Sequence, residues 1–406
     1  MNRTTKISED WLITCAGLLL VMVPLVFVLP APSYRELELT ALPTLGISVL
    51  VQGALALFVW MLVALFTHRP WQTSLISFGV VWIIAQVALI FGGMSWARGL
   101  GLEAVIFSLL FGLAIGQFRP MPAAWQPVVS SELWVKVGLV MLGASVIFSD
   151  LLKAGGLGLI QAGVVVVAVW YAAYFVGRYF GLEEDLKLMI ASAVSICGVS
   201  AAIATAGAIQ GDTKKLSMVV SLVLLVAIPM MLGMPYLAEY LQLPDAVTGA
   251  WLGGTIDTTG AVVAAGALAG DEALKMSTIV KFSQNVLLGV AAFAISVYWA
   301  YGQTQATAAR PTLAVVWQRF PKFVVGFVAA SLIYTLWVTP TQLAMVKEGV
   351  KSMQTLWFVM AFVAIGLETN LRELLQQQNR KALYTFVLAQ IFNILLTLVV
   401  SMFLFS

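Results

Sequence analysis

The chain predicts an all-α polytopic membrane protein arranged as an inverted repeat, and three observations predict it. Of its 406 residues, 61% are hydrophobic and 10% charged, and the mean hydropathy is +0.97, whereas soluble domains carry about 25% charge. Apolar runs close to the roughly 20 residues that a bilayer requires recur from end to end. A segment rich in glycine and hydroxyl residues occurs twice, each time followed by one apolar helix. The net charge of +3 includes no basic run, which argues against a nucleic-acid partner. A single histidine, His68, and two separated cysteines, Cys15 and Cys197, supply neither a disulfide framework nor metal-ligand spacing. No resident metal and no cofactor are expected, only a coupling Na⁺ or H⁺.

In chain order, spans are expected at Asp10–Leu29, Thr44–Phe66, Trp71–Phe91, Gly99–Phe118, Leu133–Ser149 and Leu157–Tyr179. The first run follows a basic start, as in a signal peptide, but its length and the spans after it favour an uncleaved helix. Next come arms at Leu186–Ile196 and Val199–Gln210 and a span at Leu216–Leu237. A second pair of arms, Asp245–Gly253 and Thr258–Ala269, precedes the span Met276–Ala300. A polar linker, Tyr301–Trp317, carries Gln303, Thr304, Gln305, Thr307, Arg310 and Pro311. Spans at Phe320–Val338, Ser352–Leu367 and Ala382–Phe405 close the chain.

The duplicated segments read SICGVSAAIATAGAIQGD from Ser195 and GTIDTTGAVVAAGALAGD from Gly254. Setting Gly198 against Asp257 superposes Ala206-Gly207-Ala208 on Ala265-Gly266-Ala267, and Gly211-Asp212 on Gly270-Asp271. The arms, roughly a dozen residues each, are too short to cross a bilayer. Paired Gly-interrupted segments in two halves point to a transporter's binding site. Loop charge favours re-entrant hairpins over two broken spanning helices. With Arg3 and Lys6 inside, Arg69, Arg119, Lys136, Lys214, Lys215, Arg310, Arg319, Lys322, Arg380 and Lys381 all fall inside. Glu36, Glu38, Glu239 and Asp245 then fall outside. The expectation is eleven spans and two opposed hairpins, N-terminus cytoplasmic and C-terminus extracytoplasmic.

Irregular backbone at membrane depth is tolerated only against protein or a water-filled cavity. The second arms begin near Val199 and Thr258, and their first N–H groups carry the positive ends of half-helix dipoles, suited to an anion. Ser195, Ser200, Thr255, Thr258 and Thr259 add hydroxyls that either bind or cap. Gly198 and Gly254 mark the breaks, and Cys197 reads as a buried small hydrophobe more readily than as a reactive thiol. Asp257 is the most informative residue, because a charge near the bilayer centre costs about 2.5–3.5 kcal/mol even on the lenient insertion scale. Its expected partner is Lys281, with Asp257 holding a proton or Na⁺ while Lys281 attracts an anion; an ion pair or a simple N-cap is the plainer reading. Ser283, Gln284 and Asn285 beside Lys281 form a polar run that a lipid-facing helix would not carry. Glu103, Asp150, Lys153 and Glu368 read as interfacial or capping. Gln52, Gln86, Gln161, Gln390 and Asn393 read as interhelical glue.

The tip CGVSAAIA, the segment GGTID with AVVAAG after it, TIVKFSQNVLLG and WVKVGLVMLGASVIFSDLLKAGG together resemble the YeiH family of bacterial inner-membrane proteins, also called UPF0324 or sulfate exporters. The resemblance covers Leu133 to the C-terminus. It implies a secondary transporter of the inverted-repeat, two-hairpin kind, related to cation–proton antiporter and anion symporter folds. Two departures stand out: Asp257 and Thr258 replace the usual His-Glu pair, and Gln284 replaces an arginine. Without that guanidinium fork a bidentate oxyanion clamp is missing. The spans from Thr44 to Phe91 look like an addition to a shorter common form.

The expected organisation is scaffold-like N-terminal spans (1–131), a transport core with both hairpin units (132–300), the linker (301–322) and C-terminal spans completing the second repeat (323–406). The function expected is elevator-type secondary transport of a small anion, sulfate- or sulfonate-like or a carboxylate, coupled to Na⁺ or H⁺. The residues expected to bind are Ser195, Cys197, Gly198, Val199, Ser200, Gly254, Thr255, Asp257, Thr258, Thr259, Lys281, Gln284 and Asn285. A Na⁺/H⁺-type antiporter or an ion-pumping subunit of a membrane enzyme complex is the alternative. The chain itself lacks a nucleophile–base pair and a phosphate loop, so an enzyme is not expected. Partners are the small anion and the lipid bilayer, with a homodimer as the one protein assembly considered.

Overall fold

The computed structural model describes residues 9–34, 42–99, 104–118, 125, 129, 131–209, 211–302, 317, 320–369 and 380–406, with no strand among them. Most of the polar linker, including Gln303, Thr304, Gln305, Thr307, Arg310 and Pro311, lies outside the described residues, as do Arg3, Lys6, Glu36, Glu38, Glu103, Arg119, Gln210 and Arg319. Among the described residues, eight helices are long and apolar enough to cross a membrane. Each expected span holds a helix, but three of these helices, α5, α6 and α14, have only 15, 12 and 15 residues. At 1.5 Å per residue, 15 residues reach about 22 Å, short of the ~30 Å hydrocarbon core.

The chain forms two units, Met1–Asp150 with Lys322–Asn370, and Leu151–Pro321 with Leu371–Ser406. Sequence order had placed 323–406 in one segment. By packing, the last helix instead belongs with the hairpins, and Lys322–Asn370 with the N-terminal helices.

The first unit comprises α1 (Glu9–Val26), α2 (Leu42–Phe66), α3 (Trp71–Gly93), α4 (Ser95–Gly99), α5 (Ala104–Phe118), α6 (Ser131–Leu142), α14 (Lys322–Leu336) and α15 (Pro340–Glu368). Helix α15 is its core, with Val346, Gly349, Val350 and Met353 buried and the run Leu356–Ala364 buried without a gap. Trp134 stacks on Trp60 with ring centroids 4.2 Å apart and tilts against Trp357 at 5.3 Å. Helices α5 and α15 touch backbone to backbone, since a Cβ on Gly366 would lie 2.7 Å from the Cα of Gly112. Lys136 bridges Asp10 and Glu132, each at 2.8 Å. Helix α15 begins at Pro340, well before the expected Ser352, because Thr339 and Gln342 form a capping box there. Lys347, Glu348 and Lys351 lower the hydropathy of its first turns without breaking them.

The expected span Leu133–Ser149 is interrupted. Helix α6 gives way to a 3₁₀ turn at Gly143–Ser145, Val146 is extended, and α7 (Phe148–Tyr179) starts at once. Tertiary packing causes the break, since a Cβ on Gly143 would sit 2.2 Å from the Phe327 carbonyl oxygen. The Ser331 hydroxyl also donates to the Val146 carbonyl at 2.6 Å. Gly155, Gly156 and Gly158 leave α7 unbroken, so it begins nine residues ahead of the expected Leu157.

The second unit holds most of α7, then α8 (Glu184–Ser192), α9 (Val199–Ile209), α10 (Thr213–Tyr240), α11 (Asp245–Thr255), α12 (Thr259–Ala269), α13 (Asp271–Gly302) and α16 (Arg380–Phe405). Lys215, at the start of α10, pairs with Asp185 at 2.8 Å and Glu183 at 2.5 Å. The end of α9 therefore lies beside the start of α8, and these two helices form a hairpin. In the second pair, a Cβ on Gly249 would touch Ala273 and Met276, one on Gly253 would touch Ser277, and one on Gly266 would touch Leu274 and Ser277. Both α11 and α12 thus run beside the first turns of α13, which makes a second hairpin. The two hairpin bases sit at opposite ends of α10, whose 28 residues extend about 42 Å. The outer faces of α7 and α16 expose Leu159, Ile160, Val164, Val167, Ile391, Leu395, Val399 and Phe403, surfaces suited to lipid.

Candidate functional site

The two hairpin tips touch. Helix α8 widens into a π-helical turn, Ala193–Cys197, and the chain reverses at Gly198 with φ +63° and ψ −113°. Glycine is the residue that adopts this conformation without strain. It also permits contact, because a Cβ there would lie 3.2 Å from the Cβ of Asp257 and 3.3 Å from Cγ2 of Thr258. At the second tip α11 ends at Thr255, Ile256 is extended, and Thr258 caps α12 by accepting from the Ala261 N–H. The capping role that Asp257 was considered for thus falls to Thr258, one residue on.

Lys281 joins the tips. Its Nζ donates to the Ile196 carbonyl at 2.7 Å, to the Ile256 carbonyl at 2.8 Å and to Gln284 Oε1 at 3.0 Å. Those carbonyls close the first arm of each hairpin, where helix ends leave orphan acceptors and partial negative charge. The side chain is 1% exposed and its three protons are occupied by these bonds. This corrects the expected direct Asp257–Lys281 pair: the ammonium is drawn to two converging helix C-termini, and none of its bonds goes to Asp257. The two charges remain within electrostatic reach. An ammonium so engaged has no spare proton for a substrate anion.

Asp257 is 1% exposed, and neither of its carboxylate oxygens has a hydrogen-bond partner among the described residues. On the residues flanking it and on side chains bonded to them, Thr255 Oγ1, Asn285 Oδ1 and Gln390 Oε1 are buried and likewise without partners among the described residues. The amide nitrogens of these side chains are engaged. Gln390 Nε2 donates to the Thr255 carbonyl at 2.8 Å, and Asn285 Nδ2 donates to Thr259 Oγ1 at 3.3 Å. Gln284 Nε2 holds the Gly254 carbonyl at 2.8 Å.

The other expected residues divide. Ser195 Oγ bonds back to the Ala191 carbonyl at 2.7 Å and serves its own helix. Cys197 is buried beside Lys281. Val199 is half-buried and Ser200 exposed, both at the head of α9. Gly254 serves close packing, since a Cβ there would lie 2.3 Å from Gln161 Nε2. Thr259 receives Asn285. Asp150 is exposed, while Glu368 accepts from the backbone and side chain of Ser131, a capping role.

Two residues read as glue are more specific than that. Asn393 Nδ2 donates to the Val194 and Thr255 carbonyls, each at 3.2 Å, tying both tips to α16, and Gln390 joins it at Thr255. The sequence carries a signal for this: Gln390, Asn393, Thr397 and Ser401 recur at helical spacing along an otherwise apolar helix, and all are buried. Among the described residues no three His, Cys, Asp or Glu side chains gather to hold a metal ion.

The profile of the family described as "Conserved hypothetical protein 698" matches residues 77–385. A UPF0324 membrane protein of Rhodopirellula baltica is 37% identical over 383 residues, covering 90% of this chain and 70% of that protein. One from Nitratidesulfovibrio vulgaris is 36% identical over 344 residues, 82% of this chain and 59% of the relative's length. Another from Nitrosomonas europaea is 30% identical over 363 residues, 78% and 74% of the two chains. No solved structure matches. The touching tips thus sit inside the region that the profile covers, and the chain belongs to the UPF0324 family of membrane proteins, conserved hypothetical protein 698.

Proposed function

We propose that this protein is a secondary active transporter of a small anion, sulfate- or sulfonate-like or a carboxylate, coupled to Na⁺ or H⁺ at the meeting of the hairpin tips. One observation carries the reading: an aspartate with no hydrogen-bond partner among the described residues, 1% exposed, sits where two helix breaks touch. An ionised carboxylate in such a place demands a cation or a proton. The heads of α9 and α12 supply first-turn N–H groups for the anion. In this reading the hairpins are re-entrant and related as an inverted repeat, and the second unit moves as the elevator body. Small residues on the arms, Ala201, Ala204, Ala264 and Gly266 among them, are buried within that unit and let its hairpins pack closely, as a body that moves as one requires. The protein lies in the bacterial inner membrane with its N-terminus cytoplasmic, and it transports and does not catalyse.

A second reading, a Na⁺/H⁺-type antiporter, is favoured by the engagement of all three Lys281 protons, which leaves that ammonium nothing to offer an anion. Proteoliposomes separate the two. Uptake of labelled sulfate, methanesulfonate or a dicarboxylate driven by an inward Na⁺ or H⁺ gradient supports the first. Proton flux exchanging for Na⁺ with no anion requirement supports the second.

A further inference from the structure

We infer that the loop between α11 and α12 binds one dehydrated Na⁺ ion, ligated by the Asp257 carboxylate with Thr255 Oγ1, Asn285 Oδ1 and Gln390 Oε1. The inference rests on the coupled-transport reading and deepens it by naming the ion and its ligands.

Every one of these oxygens is buried and without a hydrogen-bond partner. Each belongs to residues 255–259, the loop with the helix residue on either side of it, or to a side chain bonded there, Gln390 through the Thr255 carbonyl and Asn285 through Thr259 Oγ1. The orientation of Gln390 follows from chemistry: a carbonyl only accepts, so the end facing Thr255 is the NH₂ and the oxygen faces away. Four of the five oxygens, two from Asp257 and one each from Asn285 and Gln390, can only accept unless Asp257 is protonated. Only the Thr255 hydroxyl has a proton to give, too few for the four acceptors, and a cation answers the rest.

Three arguments select the cation. A proton satisfies one oxygen of Asp257 and leaves the two amide oxygens buried and unmet. Hard oxygen ligands of carboxylate, amide and hydroxyl type suit alkali and alkaline-earth ions, not soft metals. A divalent ion beside a single carboxylate, with the Lys281 ammonium in electrostatic reach, leaves excess positive charge at membrane depth. With Na⁺ bound, Asp257 and Lys281 already cancel, and the ion's own charge favours an anion at the heads of α9 and α12. Binding of each then strengthens the other to the same degree.

The test uses the full chain purified in detergent, melted in NaCl, KCl, NH₄Cl or choline chloride at constant ionic strength and at several pH values. Stabilisation that is selective for Na⁺ and saturable supports the site. It should vanish in Asp257→Asn, and Thr255→Val should raise the half-maximal Na⁺ concentration about tenfold or more. Thr255→Val keeps shape and the backbone carbonyl, so it serves if Asp257→Asn does not fold. Equal responses to all four salts, or a Na⁺ response unchanged in both variants, overturn the inference, as does a response led by NH₄⁺. Stabilisation that follows pH and not Na⁺, and is lost in Asp257→Asn, also overturns it but leaves coupling through Asp257 standing. If gradient-driven uptake is unaffected by Asp257→Asn, coupling through Asp257 fails, and if the wild type shows no gradient-driven uptake or exchange, the transport reading itself fails.

Discussion

Lys281 donates to the carbonyl of Ile196, 85 residues away in sequence, at 2.7 Å, and the same nitrogen holds the Ile256 carbonyl at 2.8 Å. One ammonium thus closes both hairpin tips, neutralising two helix C-termini that point at each other.

Replacing that ammonium should loosen the tips. Lys281→Met fills similar volume but leaves two buried carbonyls without a donor, each worth about 1–3 kcal/mol. We expect a clear fall in melting temperature and faster hydrogen exchange near Ile196 and Ile256. A variant that melts with the wild type and keeps its exchange protection would show that the bridge holds nothing in place.

Asp257→Asn should behave in the opposite way. It removes a buried carboxylate that no hydrogen bond supports, so stability should hold or rise while gradient-driven uptake is lost. The double variant Asp257→Asn with Lys281→Met should remain inactive. Recovery of coupled uptake in the double variant would reduce the two residues to a structural pair.

Gly198→Ala tests the turn and the tip contact together. An L-residue at φ +63° costs about 1–3 kcal/mol, and the new methyl would meet Val223 Cγ1 at 2.7 Å. Adding Val223→Ala removes the collision and not the torsional strain, so it should restore stability only in part. Full recovery in the double variant would mean that the torsion carries no cost.

The hairpin bases lie at opposite ends of α10, so Lys214→Cys and Asp271→Cys should label from opposite faces of the membrane. An impermeant thiol reagent applied to sealed, oriented vesicles reads this directly. Labelling of both positions from one face would be incompatible with two opposed re-entrant hairpins.

Membrane class, the duplicated break and the residues at its tips were legible in the sequence. Hydrophobic content and run length report burial in lipid whatever the tertiary arrangement, and Gly198, Gly254 and Asp257 are residues that an ordinary spanning helix would not place together. Helix starts and stops were less legible wherever packing overrode hydropathy. Gly143 ends a helix where the Phe327 carbonyl lies against it, whereas Gly158 lies inside α7 with Ser283 packed against it. The start of α15 was hidden by Lys347, Glu348 and Lys351, although Thr339 and Gln342 signal it locally.

By itself, then, the sequence determined that the chain is a bundle of apolar helices with two interrupted segments and an aspartate in one of the interruptions. Local composition and spacing carry all of that, and no distant residue is needed to read it. Only the tertiary structure decided which groups answer which. It sent Lys281 to two carbonyls instead of to Asp257, brought α16 to the hairpins, and left Asp257, Asn285 and Gln390 with oxygens facing no donor. Those outcomes depend on helix ends and side chains that are far apart in the chain, where hydrogen-bond geometry and the convergence of partial charges choose the partners.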